Sequence, residues 1–342
     1  MAFEEKIAGP ELLKPFMDEA SSCGLAAHVA AFIHQQRCTW TELHDACENL
    51  KKSYIKEMHL SQLDVVLQHN PNRIKSSTSP VDKISIAQRP CFLCPGNLYP
   101  LQKGLLYQDA WFILNNPFPI FFDHLVVSRI RHTPQQIEAA LPVMIRFVRD
   151  LGFTFCAFYN GPACGASAPD HLHFQACPEG TIPITQQIAR LHQQKELGAV
   201  FDCIEKRKGV SSFAGTADNR TFFISVADDG EMLHMRLRRV LEALKQRIPG
   251  DDEPMVNLII SGVDEQYVGI IIPRKAHRPS CYYSDGTDRM LVSPGAVDVG
   301  GLLIVPRRQD YTRLTAPRVL AIFSEVCHTK DVFDNITITP EG

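Results

Sequence analysis

The sequence has no long apolar run, and this absence bears on where the protein works. No stretch reaches the roughly 18 consecutive apolar residues that a membrane-spanning helix needs. The opening residues, MAFEEK, carry charges where the apolar core of a secretory signal peptide would begin. We therefore expect a cytoplasmic protein with no membrane partner.

Neither sign of charge is in large excess. Lys and Arg together number 35 and Asp and Glu 38, which gives a net charge of −3. A general affinity for nucleic acid requires a strongly basic surface, so no nucleic-acid partner is expected. A site for a phosphorylated ligand would have to be built from local cations and backbone amides.

The cysteine content does not indicate a disulfide framework. The eleven cysteines are an odd number, and they are spread over a chain of 342 residues. Disulfide-rich secreted domains are short and contain an even number of cysteines. The sequence therefore predicts reduced thiols, which agrees with a cytoplasmic location.

Hydrophobic periodicity predicts an α+β fold. Residues 1–68 have apolar side chains at helical spacing and predict a helical N-terminal extension whose role is packing. Further helices are predicted at residues 137–148, 181–208 and 232–248. Strands are predicted at residues 111–114, 124–128, 153–159 and 221–226, and residues 209–219 are predicted to form a loop. Residues 256–260 and 269–272 predict a hairpin, and residues 269–279 echo residues 125–134 in an apolar strand, a basic pair, a His and a Pro.

The most unusual stretch is residues 170–175, DHLHFQ. Alternation with period two places His171, His173 and Gln175 on one face of a strand, and the two apolar residues between them face a core. The small residues at 165–167, GAS, would let backbone N–H groups approach an anion. We interpret this stretch as a phosphate cradle with an imidazole nucleophile. The alternative is a strand whose polar residues bind nothing.

A second motif is the pair Cys91 and Cys94, separated by two residues. Two thiolates at this spacing can bind a tetrahedral metal from one tight turn. The pair needs two further ligands, and redox-active or inert cysteines are the alternatives.

Residues 165–175, GASAPDHLHFQ, resemble the active-site segment of the histidine-triad superfamily, in the transferase branch that ends its motif in Gln. That branch includes galactose-1-phosphate uridylyltransferases, diadenosine tetraphosphate phosphorylases and GDP-hexose phosphorylases, and the motif does not choose among them. The resemblance implies two histidine-triad-like halves with antiparallel sheets and packed helices. The expected domains are a helical extension at residues 1–68, a catalytic half at 69–210 and a second half at 211–342.

The resemblance also implies an activity, that of a nucleotidyltransferase or phosphorylase. His173 matches the nucleophile that carries a covalent nucleotidyl group. Gln175 would donate a hydrogen bond to a phosphate oxygen. Further matching positions are expected to stabilise or orient the phosphoryl group: Ser167, Asn160, His124 and the amides of Gly165 and Ala166. His124 could instead be an ordinary strand histidine.

Other positions are candidates for holding the rest of the substrate. Asn116 and Phe118 follow a predicted strand and are candidates for a base pocket. Arg73 and Lys275 are candidate phosphate contacts, and solvated basic loops are the alternative. Residues 293–296, SPGA, form a predicted turn whose amides could touch a ligand.

The resemblance implies a metal as well. Cys91, Cys94, His132 and His171 match, one by one, the ligands of the zinc-binding members of the superfamily. Four protein ligands close the coordination sphere, so this zinc would be structural. Four unmetallated residues are the alternative, and a separate divalent cation could accompany the substrate.

The expected substrate is a nucleoside-diphosphate sugar or a dinucleoside polyphosphate, with phosphate or a sugar 1-phosphate as acceptor. Two other interpretations stay open. One is hydrolysis of the same compounds, which Gln175 disfavours. The other is a zinc-stabilised nucleotide-binding protein without turnover, which the intact His173 disfavours. A homodimer formed by edge pairing of second halves is also compatible with the resemblance.

Overall fold

A computed structural model describes residues 3–17, 24–78, 82–248 and 253–329 of the chain. The helices are α1 Pro10–Leu13, α2 Leu25–Thr39, α3 Thr41–Leu50, α4 Ile74–Ser77, α5 Lys83–Ala87, α6 Ile137–Asp150, α7 Pro183–Gln193, α8 Leu197–Val200, α9 Gly230–Lys245, α10 Ser280–Tyr283, α11 Ala296–Val299, α12 Arg308–Arg313 and α13 Ala316–Val326. The strands are β1 Tyr54–His59, β2 Asp64–His69, β3 Gly104–Tyr107, β4 Trp111–Asn115, β5 Leu125–Arg129, β6 Phe155–Asn160, β7 His173–Pro178, β8 Asp202–Arg207, β9 Val210–Ala217, β10 Arg220–Ala227, β11 Val256–Val263, β12 Gln266–Pro273 and β13 Leu302–Val305. The fold is α+β, as the periodicity predicted.

A ten-stranded antiparallel sheet forms the centre, in the order β3-β4-β5-β7-β6-β11-β12-β10-β9-β8. The sheet consists of two five-stranded units, which meet where β6 pairs with β11. Read outward from this central pair, the strand order is β6-β7-β5-β4-β3 in one unit and β11-β12-β10-β9-β8 in the other. Each unit has one long helix in the same place along its chain: α6 connects β5 to β6, and α9 connects β10 to β11. The two-half architecture is therefore confirmed at the level of topology.

This topology corrects the correspondence drawn between residues 125–134 and 269–279. Counting from the shared centre, β12 occupies the place of β7, and β10 occupies the place of β5. The two similar sequence segments therefore belong to β5 and β12, which do not occupy equivalent places in the two units. The predicted hairpin of residues 256–260 and 269–272 is confirmed, because β11 pairs with β12.

The long helices cover one face of the sheet because each has one apolar stripe. The buried residues of α6 include Ile137, Leu141 and Met144, and they share a core with Leu233 and Leu237 of α9. The opposite face packs against α7, α11 and β13. Beside these elements, the same face borders a cavity at β4, β5, β7 and the end of β6. Among the described residues, no helix is long and apolar enough to cross a membrane.

Three sequence-based expectations for local structure are wrong. Residues 54–59 and 64–69, expected to be helical, form β1 and β2, which join β13 in a small second sheet. Residues 202–207, at the end of a predicted helix, form β8. The expected loop at 209–219 contains β9, which pairs with β10 across a turn at Asp218 and Asn219. Both turn residues have positive φ, the backbone of a tight two-residue hairpin, and that pairing overrides the loop-like Ser and Gly content.

Candidate active site

A cavity of about 370 Å³ lies on the face of the sheet opposite α6. Its floor is made by the side chains of β4, β5, β6 and β7 that point away from the helix. The segments before β3 and the loop before α11 form its walls. The residues used below that line it are Arg73, Arg89, Phe92, Asn116, Phe118, Phe158, Asn160, Gly165, Ser167, His173, Gln175, Gly295 and Asp298.

His173 stands at the start of β7 and is 5% exposed. Its Nδ1 atom lies 2.8 Å from the main-chain oxygen of His171. Since a carbonyl can only accept, Nδ1 carries the proton and the lone pair is on Nε2. Burial lowers the pKa of His173 to about 4, against the raising effect of this hydrogen bond. The ring is therefore a neutral imidazole at pH 7, and the lone pair of its Nε2 atom is available as a nucleophile.

Gln175 lies two residues further along the same face and is oriented by His124. The amide of Ile120 donates to Nδ1 of His124 at 3.3 Å, so the proton of this ring is on Nε2. That Nε2 donates to Oε1 of Gln175 at 2.9 Å, and the side-chain Nδ2 of Asn116 donates to the same oxygen at 3.4 Å. The NH₂ group of Gln175 is therefore the end that remains for a ligand in the cavity. Burial, followed by the charge of Arg73, lowers the pKa of His124 to about 3.

Asn160 joins the signature loop to the second half of the chain. Its Oδ1 accepts from the amide of Ala296 at 2.7 Å and from the side chain of Asn257 at 3.0 Å. Gly165 has φ +102°, and a Cβ there would lie 2.8 Å from Cα of Gly295. Glycine is therefore required at 165 for its backbone angle and for the close approach of the two loops.

Two arginines and one carboxylate bring charge to the cavity. Nη2 of Arg89 donates to the main-chain oxygen of Ser167 at 2.8 Å, and its guanidinium lies 4.8 Å from the ring centre of Phe92. Nη1 of Arg73 donates to the main-chain oxygen of Phe118 at 3.0 Å. Burial lowers the pKa of Arg73 to about 10, which leaves it charged at pH 7.

The carboxylate is that of Asp298, which holds the loop before α11. It accepts from the amides of Gly295 and Ile304, each at 2.9 Å. Burial raises the pKa of Asp298 to about 6, while these two bonds and nearby arginines oppose the shift. Its oxygens are already used by the backbone, so it shapes the cavity wall.

The structure brings most of the expected residues together. Thirteen of the fifteen expected positions lie in the cavity, beside it or in the metal-ligand cluster described below. Two do not line the cavity: Ala166 is 1% exposed but packed behind it, and Lys275 is exposed, its amide bonded to the oxygen of Val326. Sequence reasoning missed Arg89, Asp298 and a buried glutamine, Gln135. The only signal for Arg89 was its place just before the cysteine pair.

The four expected metal ligands form one cluster beside the cavity. The ligand atoms of Cys91, Cys94, His132 and His171 all lie within 4.8 Å of one another. Nδ1 of His171 is 3.1 Å from Sγ of Cys91 and 3.6 Å from Sγ of Cys94, and Nδ1 of His132 is 3.3 Å from Cys94.

These separations are close to those around a tetrahedral metal. Zinc bonds of about 2.0–2.3 Å place neighbouring ligand atoms about 3.3–3.8 Å apart. Nε2 of His171 donates to the main-chain oxygen of Arg129 at 2.6 Å, so the lone pair of this ring is on Nδ1, facing the thiols. The four donor groups, with the ring of His171 oriented by the oxygen of Arg129, could hold a metal ion.

Comparison with known proteins gives one partial family match. The family described as "Domain of unknown function (DUF4922)" matches residues 32–178, which is less than half of the chain. No curated protein matches the sequence.

Solved structures of yeast Ap4A phosphorylase Apa2 share the fold. One crystal structure of the yeast protein is 16% identical and has a TM-score of 0.52, with 84% of this chain and 93% of that chain covered. The complex with Ap4A has the same identity, the same TM-score and the same cover of this chain, with 96% of that chain. The complex with AMP is 15% identical, with a TM-score of 0.52 and cover of 88% and 96%. The expectation that the chain has the fold of a diadenosine tetraphosphate phosphorylase is confirmed by these structures.

Proposed function

We propose that this chain is a nucleotidyltransferase that works through a covalent nucleotide on His173. The observation that carries the proposal is the state of this ring: Nδ1 is held by a carbonyl, and Nε2 has no protein partner among the residues described, beside a cavity of about 370 Å³. A neutral imidazole with one free lone pair is the form that attacks phosphorus.

Two displacements complete the reaction. In the first, the Nε2 lone pair of His173 forms a bond to the α-phosphorus of the nucleotide, and the bond from that phosphorus to the bridging oxygen breaks. The leaving group departs with that oxygen and its electron pair. In the second, an oxygen of the acceptor attacks the same phosphorus, the P–N bond breaks, and the lone pair returns to Nε2. No oxidation or reduction is involved.

The other cavity residues receive roles that follow from their position and chemistry. The NH₂ group of Gln175, whose oxygen is occupied by His124, donates to an oxygen of the transferring phosphoryl. Ser167 and the amide nitrogen of Asn160 assist at the same oxygens. Arg89 and Arg73 bind the more distant phosphates. Asn116, Phe118 and Phe158 border the space for the nucleoside.

The substrate class is a dinucleoside polyphosphate or a nucleoside-diphosphate sugar, with phosphate or a sugar 1-phosphate as acceptor. The fold, shared with a phosphorylase of Ap4A, supports the first of these. The neutral Gln175 supports transfer over hydrolysis, because an amide has no basic nitrogen with which to activate water. A hydrolase and a binding protein without turnover are the competing functions.

The cluster of Cys91, Cys94, His132 and His171 would hold a structural zinc ion. With four protein ligands it would leave no open position for a substrate, so its contribution is to order the start of β7. The expected boundary after residue 210 would divide the second unit of the sheet, which begins with β8, so the catalytic half is assigned to residues 69–201 and the second half to 202–342. Asn257 and the loop before α11, both from the second half, support the cavity through Asn160.

Product analysis tests the proposal. The protein is incubated with Ap4A, with a UDP-hexose and with a GDP-hexose, each without acceptor, with inorganic phosphate and with a sugar 1-phosphate. Transfer predicts that one substrate yields a nucleoside diphosphate only when phosphate is present, or a new nucleoside-diphosphate sugar only when the sugar 1-phosphate is present. Release of nucleoside monophosphate at the same rate without phosphate would support a hydrolase, and no product from any substrate would support a binding protein.

A further inference from the structure

The strands β6 and β7 separate at the candidate active site. Their pairing runs from Phe155 opposite Pro178 to Phe158 opposite Gln175 and ends there. Beyond that point β6 pairs on its other side with β11, where Asn160 lies opposite Asn257. His173 and Asn160 therefore face a gap in the ladder, and main-chain groups on both sides of a gap need other partners.

One side chain fills this gap. Gln135 is 3% exposed, and its Oε1 accepts from the main-chain N–H of His173 at 2.8 Å. Its Nε2 donates to the main-chain oxygen of His173 at 2.9 Å and to that of Asn160 at 3.0 Å. The side-chain amide of Gln135 thus replaces the strand-to-strand hydrogen bonds that β6 and β7 do not make with each other at Asn160 and His173.

We infer that Gln135 is a positioning residue for the proposed transfer, which sets the separation of His173 from Asn160. The inference rests on the proposed function, because both residues border the cavity in which the phosphoryl group would be held. His173 has a strand neighbour on only its other side, where it lies opposite Ser128 of β5. We call the three hydrogen bonds of the Gln135 side chain the clamp. Without the clamp, the first residue of β7 would be held by a neighbouring strand on one side only.

The place of Gln135 in the chain strengthens this role. It lies three residues after His132 of the metal-ligand cluster, in an extended segment that runs beside the signature stretch. The main-chain N–H of Gln135 donates to the oxygen of Pro169 at 3.2 Å, and that of Leu172 donates to the oxygen of Thr133 at 2.6 Å. The segment at residues 132–135 therefore joins the cluster to the clamp.

The test compares Gln135→Met with Gln136→Met. Methionine has about the same length as glutamine but makes no comparable hydrogen bonds, and Gln136 is the adjacent, exposed residue. The rate of covalent labelling of His173 by nucleotide is expected to fall about a hundredfold in Gln135→Met, since small misplacements of reacting groups have effects of that size. Nucleotide affinity and the Gln136→Met variant are expected to stay at wild-type values. A folded Gln135→Met that labels within about threefold of wild type would overturn the inference.

A second variant covers the case in which Gln135→Met fails to fold. Gln135→Glu keeps the acceptor for the N–H of His173 and loses both donors while the carboxyl is ionised. Protonation restores one donor. Its labelling rate, divided by the wild-type rate at the same pH, is therefore expected to rise as the pH is lowered from about 7.5 to about 5.5. A flat profile in this variant would count against the clamp.

Hydrogen exchange separates failure of the clamp from failure of the proposed function. If wild type forms no adduct, the transferase proposal fails, and the clamp is judged by exchange of the His173 amide. This amide is expected to exchange faster in Gln135→Met than in wild type or Gln136→Met, because it loses its acceptor. Equal exchange in the three proteins would overturn the inference.

Discussion

His171 holds the proton of its neighbour His173: its main-chain oxygen accepts from Nδ1 of His173 at 2.8 Å. The ring of the same His171 faces the thiols of Cys91 and Cys94. One residue thus belongs to both the metal-ligand cluster and the candidate active site. Anything that orders the backbone at His171 also fixes the tautomer and direction of the His173 ring.

The first prediction concerns zinc. The purified protein is expected to contain zinc equimolar with the chain, and Cys94→Ser is expected to lose it together with thermal stability. The labelling rate of His173 is expected to fall as well, because its tautomer depends on His171. The control is Cys38→Ser, an exposed cysteine on α2. Metal analysis and thermal melting check this, and a zinc-free wild type that is fully stable would contradict it.

The second prediction concerns the pH dependence of labelling. Because burial depresses the pKa of His173 to about 4, the ring stays neutral down to mildly acidic pH. The labelling rate of the folded protein should therefore be constant between about pH 8 and about pH 6.5, above the pKa of Asp298, whereas a histidine with the ordinary pKa of about 6.5 would lose about half of its neutral form over that range. Rates at several pH values, with circular dichroism at each, decide between the two.

The third prediction applies the same shifts to stability. The pKa values of His173 and His124 are depressed in the folded state to about 4 and about 3. Above about pH 6.5 both histidines are neutral in the folded and in the unfolded chain. As the pH falls from there toward 4, only the unfolded chain takes up protons at these two positions, so the free energy of unfolding decreases. Urea unfolding should show this loss, and His124→Gln should show a smaller loss. If the free energy of unfolding fell equally with pH in wild type and His124→Gln, the depressed pKa of His124 would be contradicted.

The fourth prediction concerns Arg89. Its guanidinium borders the cavity beside Ser167, so Arg89→Gln should raise the KM for the phosphate acceptor about tenfold, which is the loss of one charge-assisted hydrogen bond. The matched control is Arg238→Gln, where an exposed arginine of α9 pairs with Glu242. Steady-state kinetics with varied phosphate measure both. An unchanged KM would remove Arg89 from the phosphate site.

The fifth prediction concerns Gly165. Gly165→Ala places a side chain on a backbone with positive φ and 2.8 Å from Cα of Gly295, so it should destabilise the fold by about 1–3 kcal/mol. Gly198→Ala is the control, because a Cβ at Gly198 in α8 would have nothing within 4 Å. Denaturant unfolding of the two variants compares them. Equal stability would mean that the loops do not approach as closely as described.

The signature strand could be predicted from the sequence because its information is local. A period of two placed His173 and Gln175 on the cavity face of β7, whereas His171 precedes the strand and its ring faces the cysteines. The spacing of Cys91 and Cys94 marked half of the metal-ligand cluster. The residues that were missed depend on distant pairing. Gln135 and its neighbour Gln136 are identical in type, and only the separation of β6 from β7 buries one of them. Similarly, β9 has the composition of a loop and becomes a strand because β10 lies beside it.

The central claim is the covalent adduct on His173, and intact-protein mass spectrometry tests it most directly. The protein is incubated with Ap4A or a nucleoside-diphosphate hexose in the absence of any acceptor. The account predicts a mass increase of one nucleoside monophosphate that is lost in acid and kept in base, located on the peptide containing residue 173. The increase should be absent from His173→Asn and present in His192→Asn, whose histidine lies on α7. An adduct that persists in His173→Asn, or none in wild type with any of these nucleotides, would contradict the account.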